Sequence, residues 1–234
     1  MDDPGDLRRL PLQQRSAQRL DLILDTAATL IDEAGSVQLT PTLIARSAGM
    51  SHAAIYRYFA DTPAILRALA ARNLERYLAV VREIIADPDI LWQDAMRRIV
   101  DAYAEKLRSE PGFRWVRLGD GVDSHLFSST ATNKHLLAIE SLGYFRPRFD
   151  VWDRPELYEH VEVMLEIADA LVSRAFLTDP QGDPFFIAEA RRLTVDYLEE
   201  FLATVPGREP ERIDGAGLDT PPAAATRPAG SAAD

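Results

Sequence analysis

The sequence predicts an all-α protein with an N-terminal three-helix head, carrying a helix-turn-helix, and a C-terminal helical body. Three observations predict it. Apolar residues recur at helical spacing along most of the chain, and no stretch of any length alternates as a strand does. The periodic runs are separated by helix-stopping signals at Gly35, Asp87-Pro88-Asp89, Pro147 and Asp179-Pro180-Gln181-Gly182-Asp183. Within Thr40–Leu66 the order Ala45-x-x-x-Gly49-x-x-x-x-x-Ile55 puts a small residue where two helices cross, a glycine in the turn and an aliphatic plug on the second helix. The second helix of such a pair can enter the major groove of DNA.

Residues 1–14 read as a flexible arm in which Arg8 and Arg9 are either a solvated tail or minor-groove contacts. From Arg15 to Ala34, the residues Leu20, Ile23, Leu24, Ala27, Leu30 and Ile31 form one helical stripe. Thr40 is suited to cap the next helix, with Pro41 at its first position. Ile44, Ala48, Met50 and Tyr58 complete the inner face of the pair, and the exposed face of its second helix carries Ser51, His52, Ala53, Tyr56 and Arg57. Asp61 or Thr62 caps a long linking helix over 63–86, about 35 Å at 1.5 Å per residue. Further helices are expected over 90–108, 129–145, 155–178 and 184–204, which places the helical body at 63–205 and a disordered tail at 206–234.

At 234 residues with 47% apolar content, the chain can bury a sizeable core. Nothing approaches the roughly 20 apolar residues that span a bilayer, and the N-terminus lacks the apolar segment of a secretory signal. There is no cysteine, hence no disulfide or thiolate site. A cytoplasmic protein without cofactor is the expectation. The net charge of −11 is unevenly spread. Residues 1–70 hold seven basic and eight acidic side chains, whereas the remainder holds 19 and 29. Affinity for DNA depends on phosphates neutralised locally, so an acidic body does not exclude a DNA-binding head.

The segments ILDTAATLIDEAG (23–35) and LTPTLIARSAGMSHAAIYRYFADTPAIL (39–66) resemble the N-terminal domain of the tetracycline-repressor (TetR) family of bacterial transcriptional regulators. The resemblance covers about residues 15–66. It implies a DNA-reading head over 15–62, a dimeric ligand-binding body, and repression relieved by a small molecule. It also implies base-edge contacts from His52, Ala53, Tyr56 and Arg57, and phosphate contacts from Thr40, Thr42, Arg46, Ser51, Tyr58 and Thr62. Two positions depart from the family pattern. Thr62 stands where a lysine often contacts a phosphate, and Ala53 where a glycine is common.

Aromatic residues gather between Trp92 and Trp152, as core or as the wall of a pocket. The family context favours a pocket, with Met96, Tyr103, Trp115, His125, Phe127, Asn133, Leu137 and Tyr144 as its lining and a hydrophobic or aromatic ligand. Val161, Leu165, Ala168, Val172, Ala175, Ala188, Val195 and Leu198 on the last two helices fit intrachain packing or a twofold interface; the family favours the interface. The four histidines lack metal-ligand spacing, and no phosphate loop, nucleophile elbow or catalytic triad is present. An enzyme is therefore not expected. The alternative to a DNA-binding regulator is a helical protein-interaction module.

Overall fold

The computed structural model of the chain describes residues 12–34, 39–116, 133–149 and 156–203. Among these, the regular structure is helical throughout. The helices are α1 (Leu12–Ala34), α2 (Pro41–Ser47), α3 (His52–Tyr56), α4 (Thr62–Ala86), α5 (Trp92–Ser109), α6 (Asn133–Phe145), α7 (Leu157–Ala175) and α8 (Pro184–Ala203). α1 begins three residues before the periodicity suggests. Residues 1–11 of the expected arm and the expected tail lie outside the described residues. The chain divides into two compact units, one of Met1–Asn73 with Glu110–Leu126, the other of Leu74–Ser109 with Phe127–Asp234. α4 contributes to both.

In the first unit, Ile23 and Ile31 of α1, Ile44 of α2, Ile55 of α3 and Ile65 and Leu69 of α4 are fully buried and form one core. Local chemistry sets the helix ends. Thr40 Oγ1 accepts the Leu43 N–H at 3.1 Å, and Ser51 Oγ accepts the Ala54 N–H at 3.2 Å. Asp61 Oδ1 accepts the Ala64 N–H at 2.7 Å, so Asp61 rather than Thr62 supplies the side-chain cap of α4. Gly49 takes φ +64° in the α2–α3 turn, where an added Cβ would meet nothing within 4 Å. Its requirement is conformational rather than steric.

The segment after α5 belongs to this first core as well. Phe113 and Val116 are fully buried, and Asn73 donates through Nδ2 to the Val116 carbonyl at 2.8 Å. Gly112 has φ +74° and a Cβ there would lie 2.9 Å from Ala28 Cα. Arg72 on α4 reaches Asp25 on α1 at 2.7 Å.

In the second unit, α7 packs along α8, and α5 lies against α8. α5 turns Trp92, Ala95, Met96, Val100, Tyr103, Ala104 and Leu107 inward, a stripe of helical period. The buried Thr194 of α8 is satisfied by the Ala190 carbonyl at 2.8 Å. The aromatic run of the sequence is thereby divided. Trp92, Tyr103, Phe145 and Phe149 are buried in the second unit, whereas Phe113 belongs to the core of the first and Trp115 is 49% exposed there.

Candidate nucleic-acid interface

The α2–α3 pair presents a polar ridge built by the geometry of its buried side. Ile44, Ala45 and Ile55 point inward, so the residues between them on the helical cycle, Thr42, Arg46, His52, Ala53, Tyr56 and Arg57, are exposed. Across the turn, Thr42 Oγ1 lies 2.9 Å from His52 Nε2. The His52 ring meets Tyr56 one turn along α3 in an edge-to-face contact, with centroids 4.7 Å apart and planes at 69°. Tyr56 is left 46% exposed, with its ring open to solvent.

A second cluster lies beside the ridge. Arg57 donates through an Nη to Tyr58 Oη at 3.4 Å, with its guanidinium 5.3 Å from the Tyr58 ring centroid. Ser16 of α1 donates to the same phenol oxygen at 3.4 Å. These two bonds, Ser16 first and Arg57 second, hold the Tyr58 phenol below its ordinary pKa, with Arg19 adding to them. Hydroxyl and guanidinium groups converging on one exposed spot suit a phosphate oxygen. Ser16 and Arg19 were missed by the sequence reading. Their only signal was an i, i+3 spacing of polar residues on the outer face of α1.

Thr40 and Ser51 accept backbone N–H groups as helix caps, which uses the oxygen of each hydroxyl and not its proton. Thr62 is half-buried and donates to the Leu39 carbonyl at 3.4 Å, which uses the proton a phosphate would need. Arg57, assigned to a base edge, is turned back onto Tyr58.

In the second unit, α5, α6 and α7 with the end of α4 enclose a cavity of about 30 Å³, room for little more than a water molecule. Met96, Tyr103 and Leu137 line it as expected, together with Tyr77, Phe145 and Met164. Its tyrosines turn their hydroxyls away to protein acceptors. Tyr77 donates to the Ile99 carbonyl at 3.1 Å and Tyr103 to Asp169 Oδ1 at 2.6 Å. Burial pushes the Tyr77 phenol up, so it stays neutral. Tyr144 is not among the lining residues. It donates to Glu140 and lies beneath Arg82, and its phenol is raised first by burial and then by Glu140. Trp115 belongs to the other unit. His125 and Phe127 lie outside the described residues, and of Asn133 only its place at the start of α6 is described.

Of the expected interface residues, Val161, Leu165 and Ala168 face this cavity. Val172, Ala175, Val195 and Leu198 are buried in packing within the chain, and of the eight Ala188 alone is exposed. Among the described residues no group of histidine and carboxylate side chains is arranged to hold a metal, and no helix is long and apolar enough to cross a membrane.

A helix-turn-helix with an exposed polar ridge, together with a separate helical unit around an apolar cavity, defines the class of helical DNA-binding regulators. Residues 23–69 match the family described as bacterial regulatory proteins, tetR family, and residues 91–202 match the tetracyclin repressor-like C-terminal domain. A TetR-family transcriptional regulator from Streptomyces coelicolor superimposes with a TM-score of 0.65 at 34% identity, covering 80% of this chain and 98% of that one. The HTH-type transcriptional repressor Rv1474c of Mycobacterium tuberculosis is 34% identical over 106 residues, which are 42% of this chain and 55% of that repressor. The fatty acid degradation regulator FadR from Bacillus halodurans shares the fold at 17% identity, with a TM-score of 0.59 over 76% of this chain and 94% of its own. The chain belongs to the TetR family of bacterial transcriptional regulators, which are not enzymes.

Proposed function

We propose that the protein is a homodimeric repressor that binds a palindromic or near-palindromic operator in the cytoplasm and responds to a small hydrophobic or aromatic ligand. The observation that carries the DNA part is the ridge of Thr42, His52 and Tyr56 beside the Arg57–Tyr58–Ser16 cluster. His52 and Tyr56 offer hydrogen-bonding groups to base edges, and Arg57 and Tyr58 offer donors to the backbone. Residues 15–62 are the reading head and 63–86 the linking helix. For self-association the outward side of α7 and α8 is the favoured surface, with Val163, Phe185 and Ala188 exposed on it.

The ligand site is the cavity lined by Met96, Tyr103 and Leu137. Its walls are apolar because the tyrosine hydroxyls are already used, which favours an apolar ligand. At about 30 Å³ it must open to admit one, and the unbranched Met96 and Met164 are suited to yield. A ligand changes operator binding only if it prefers one conformation of the protein over another.

Selection of genomic fragments by the full-length protein, followed by gel mobility at several salt concentrations, tests this reading. A discrete set of two-half-site fragments is expected. The salt dependence should be shallow, corresponding to a few phosphates per head, because the first 70 residues are nearly neutral. Retention of no fragment would favour the protein-interaction alternative. A panel of apolar compounds should raise the melting temperature and shift operator affinity; a panel without effect on either would remove the ligand part.

A further inference from the structure

A side chain that recognises a base contributes most when it is already held where the base will be, since less freedom is lost on binding. His52 opens α3 on the exposed face, where its imidazole would otherwise turn freely about two bonds. It is held at two points. Thr42 Oγ1 sits 2.9 Å from Nε2, and the Tyr56 ring abuts it with centroids 4.7 Å apart. Thr42 is β-branched and lies in the first turn of α2, so its hydroxyl has few positions available. The angle between α2 and α3 is in turn set by the buried Ile44, Ala45 and Ile55. The contact thus crosses the turn, and one helix fixes the reading side chain of the other.

We propose that Thr42 is a positioning residue for sequence recognition: it holds His52 through Nε2 and leaves the other ring nitrogen to hydrogen-bond one base pair in each half-site. The inference rests on the DNA-binding reading above and changes the role of Thr42 from phosphate contact to support of a base contact. A hydroxyl both donates and accepts, so Thr42 can hold either tautomer of the ring. One nitrogen remains for DNA. Protonated, it matches an acceptor such as a purine N7, and unprotonated it matches a donor such as adenine N6 or cytosine N4. The two roles of Thr42 have different signatures. Loss of a phosphate contact weakens every operator alike, whereas loss of a positioning contact erases preference at one base pair.

The test uses the full-length protein, an operator from the genomic selection and a panel carrying each single base-pair change in both half-sites. Wild type is compared with Thr42→Val, which keeps the shape and removes the hydroxyl, Thr42→Ser, which keeps the hydroxyl, His52→Ala, and the double variant Thr42→Val/His52→Ala. Thr42→Val is expected to lose about tenfold of discrimination at the same base pair as His52→Ala. Thr42→Ser should stay within about threefold of wild type, and the double variant should be no worse than His52→Ala alone. Both positions are exposed, so thermal midpoints should stay close to wild type; were Thr42→Val to fail to fold, Thr42→Ala takes its place. Equal weakening across the panel with preferences intact, or losses from Thr42→Val and His52→Ala that multiply, would overturn the inference. A wild-type protein that retards no operator overturns the DNA-binding reading itself, an outcome separate because it precedes any comparison of variants.

Discussion

The two compact units treat their polar groups in opposite ways. On the first, hydroxyl, imidazole and guanidinium groups meet one another on exposed surface, as in Thr42 with His52 and Ser16 with Tyr58 and Arg57. In the second, Tyr77 and Tyr103 send their hydroxyls into protein acceptors and leave an apolar cavity behind. Polar groups that bond each other at the surface are pre-positioned yet still reachable by a polar, charged partner. Polar groups satisfied inside the protein make a space that only an apolar partner enters without loss. The contrast follows from where each unit keeps its core. The first surrounds a continuous plug of Ile44, Ile55 and Ile65, and the second surrounds an incompletely filled gap.

The largest test of this contrast compares two core truncations. Ile44→Ala empties a fully buried site under the ridge and should cost about 2–5 kcal/mol, with loss of operator binding. Leu137→Ala in the cavity wall should leave operator binding without ligand near wild type and alter the response to apolar compounds. Trp115 in the first unit and Trp92 in the second allow fluorescence-monitored denaturation to follow each separately, with Phe replacing the other tryptophans. If Leu137→Ala abolished operator binding while Ile44→Ala spared it, the division of labour would be wrong.

Two glycine substitutions sharpen the account of the first unit. Gly112→Ala combines a left-handed backbone with a Cβ 2.9 Å from Ala28 Cα, and should cost about 2–4 kcal/mol. Gly49→Ala meets open space and carries only the backbone cost of φ +64°, about 1 kcal/mol. Urea midpoints read through Trp115 give the order, and a larger loss at Gly49 would contradict the packing of the 110–116 segment.

The smallest effect concerns pH. The folded head lowers the Tyr58 pKa by hydrogen bonds from Ser16 and Arg57, so the phenolate forms at lower pH than in the unfolded chain. This group therefore favours the folded state as pH rises and gives no reason for alkaline unfolding. A phenolate beside a DNA phosphate is repelled, so operator affinity should fall as pH climbs towards the ordinary phenol value near 10. Tyr58→Phe should flatten that fall, as measured by binding titrations at stepped pH.

Much of the fold was legible because its signals are local. The cap at Thr40, the turn glycine and the inward stripe of α1 lie within a few residues of what they organise, so spacing alone places them. The stripes of α7 and α8 were legible as apolar but not as to partner. Val172, Ala175, Val195 and Leu198 pack within the chain, because an apolar face fits a neighbouring helix of the same protomer as readily as a second copy. The aromatic run from Trp92 to Trp152 misled in the same way. Closeness in sequence does not survive a chain that carries Phe113 into a different core from Tyr103.

Periodicity, caps and one glycine act over single helical turns, so the helices, their order and the side chains on the outer face of the turn could be read from the residues alone. What those side chains do to each other depends on helices far apart in the chain. Ser16 reaches Tyr58 across 42 residues, Thr42 meets His52 across 10, and Thr62 spends its proton on Leu39. Such pairings depend on the angles at which α1, α2 and α3 cross, and the core beneath sets those angles rather than the residues that meet above it.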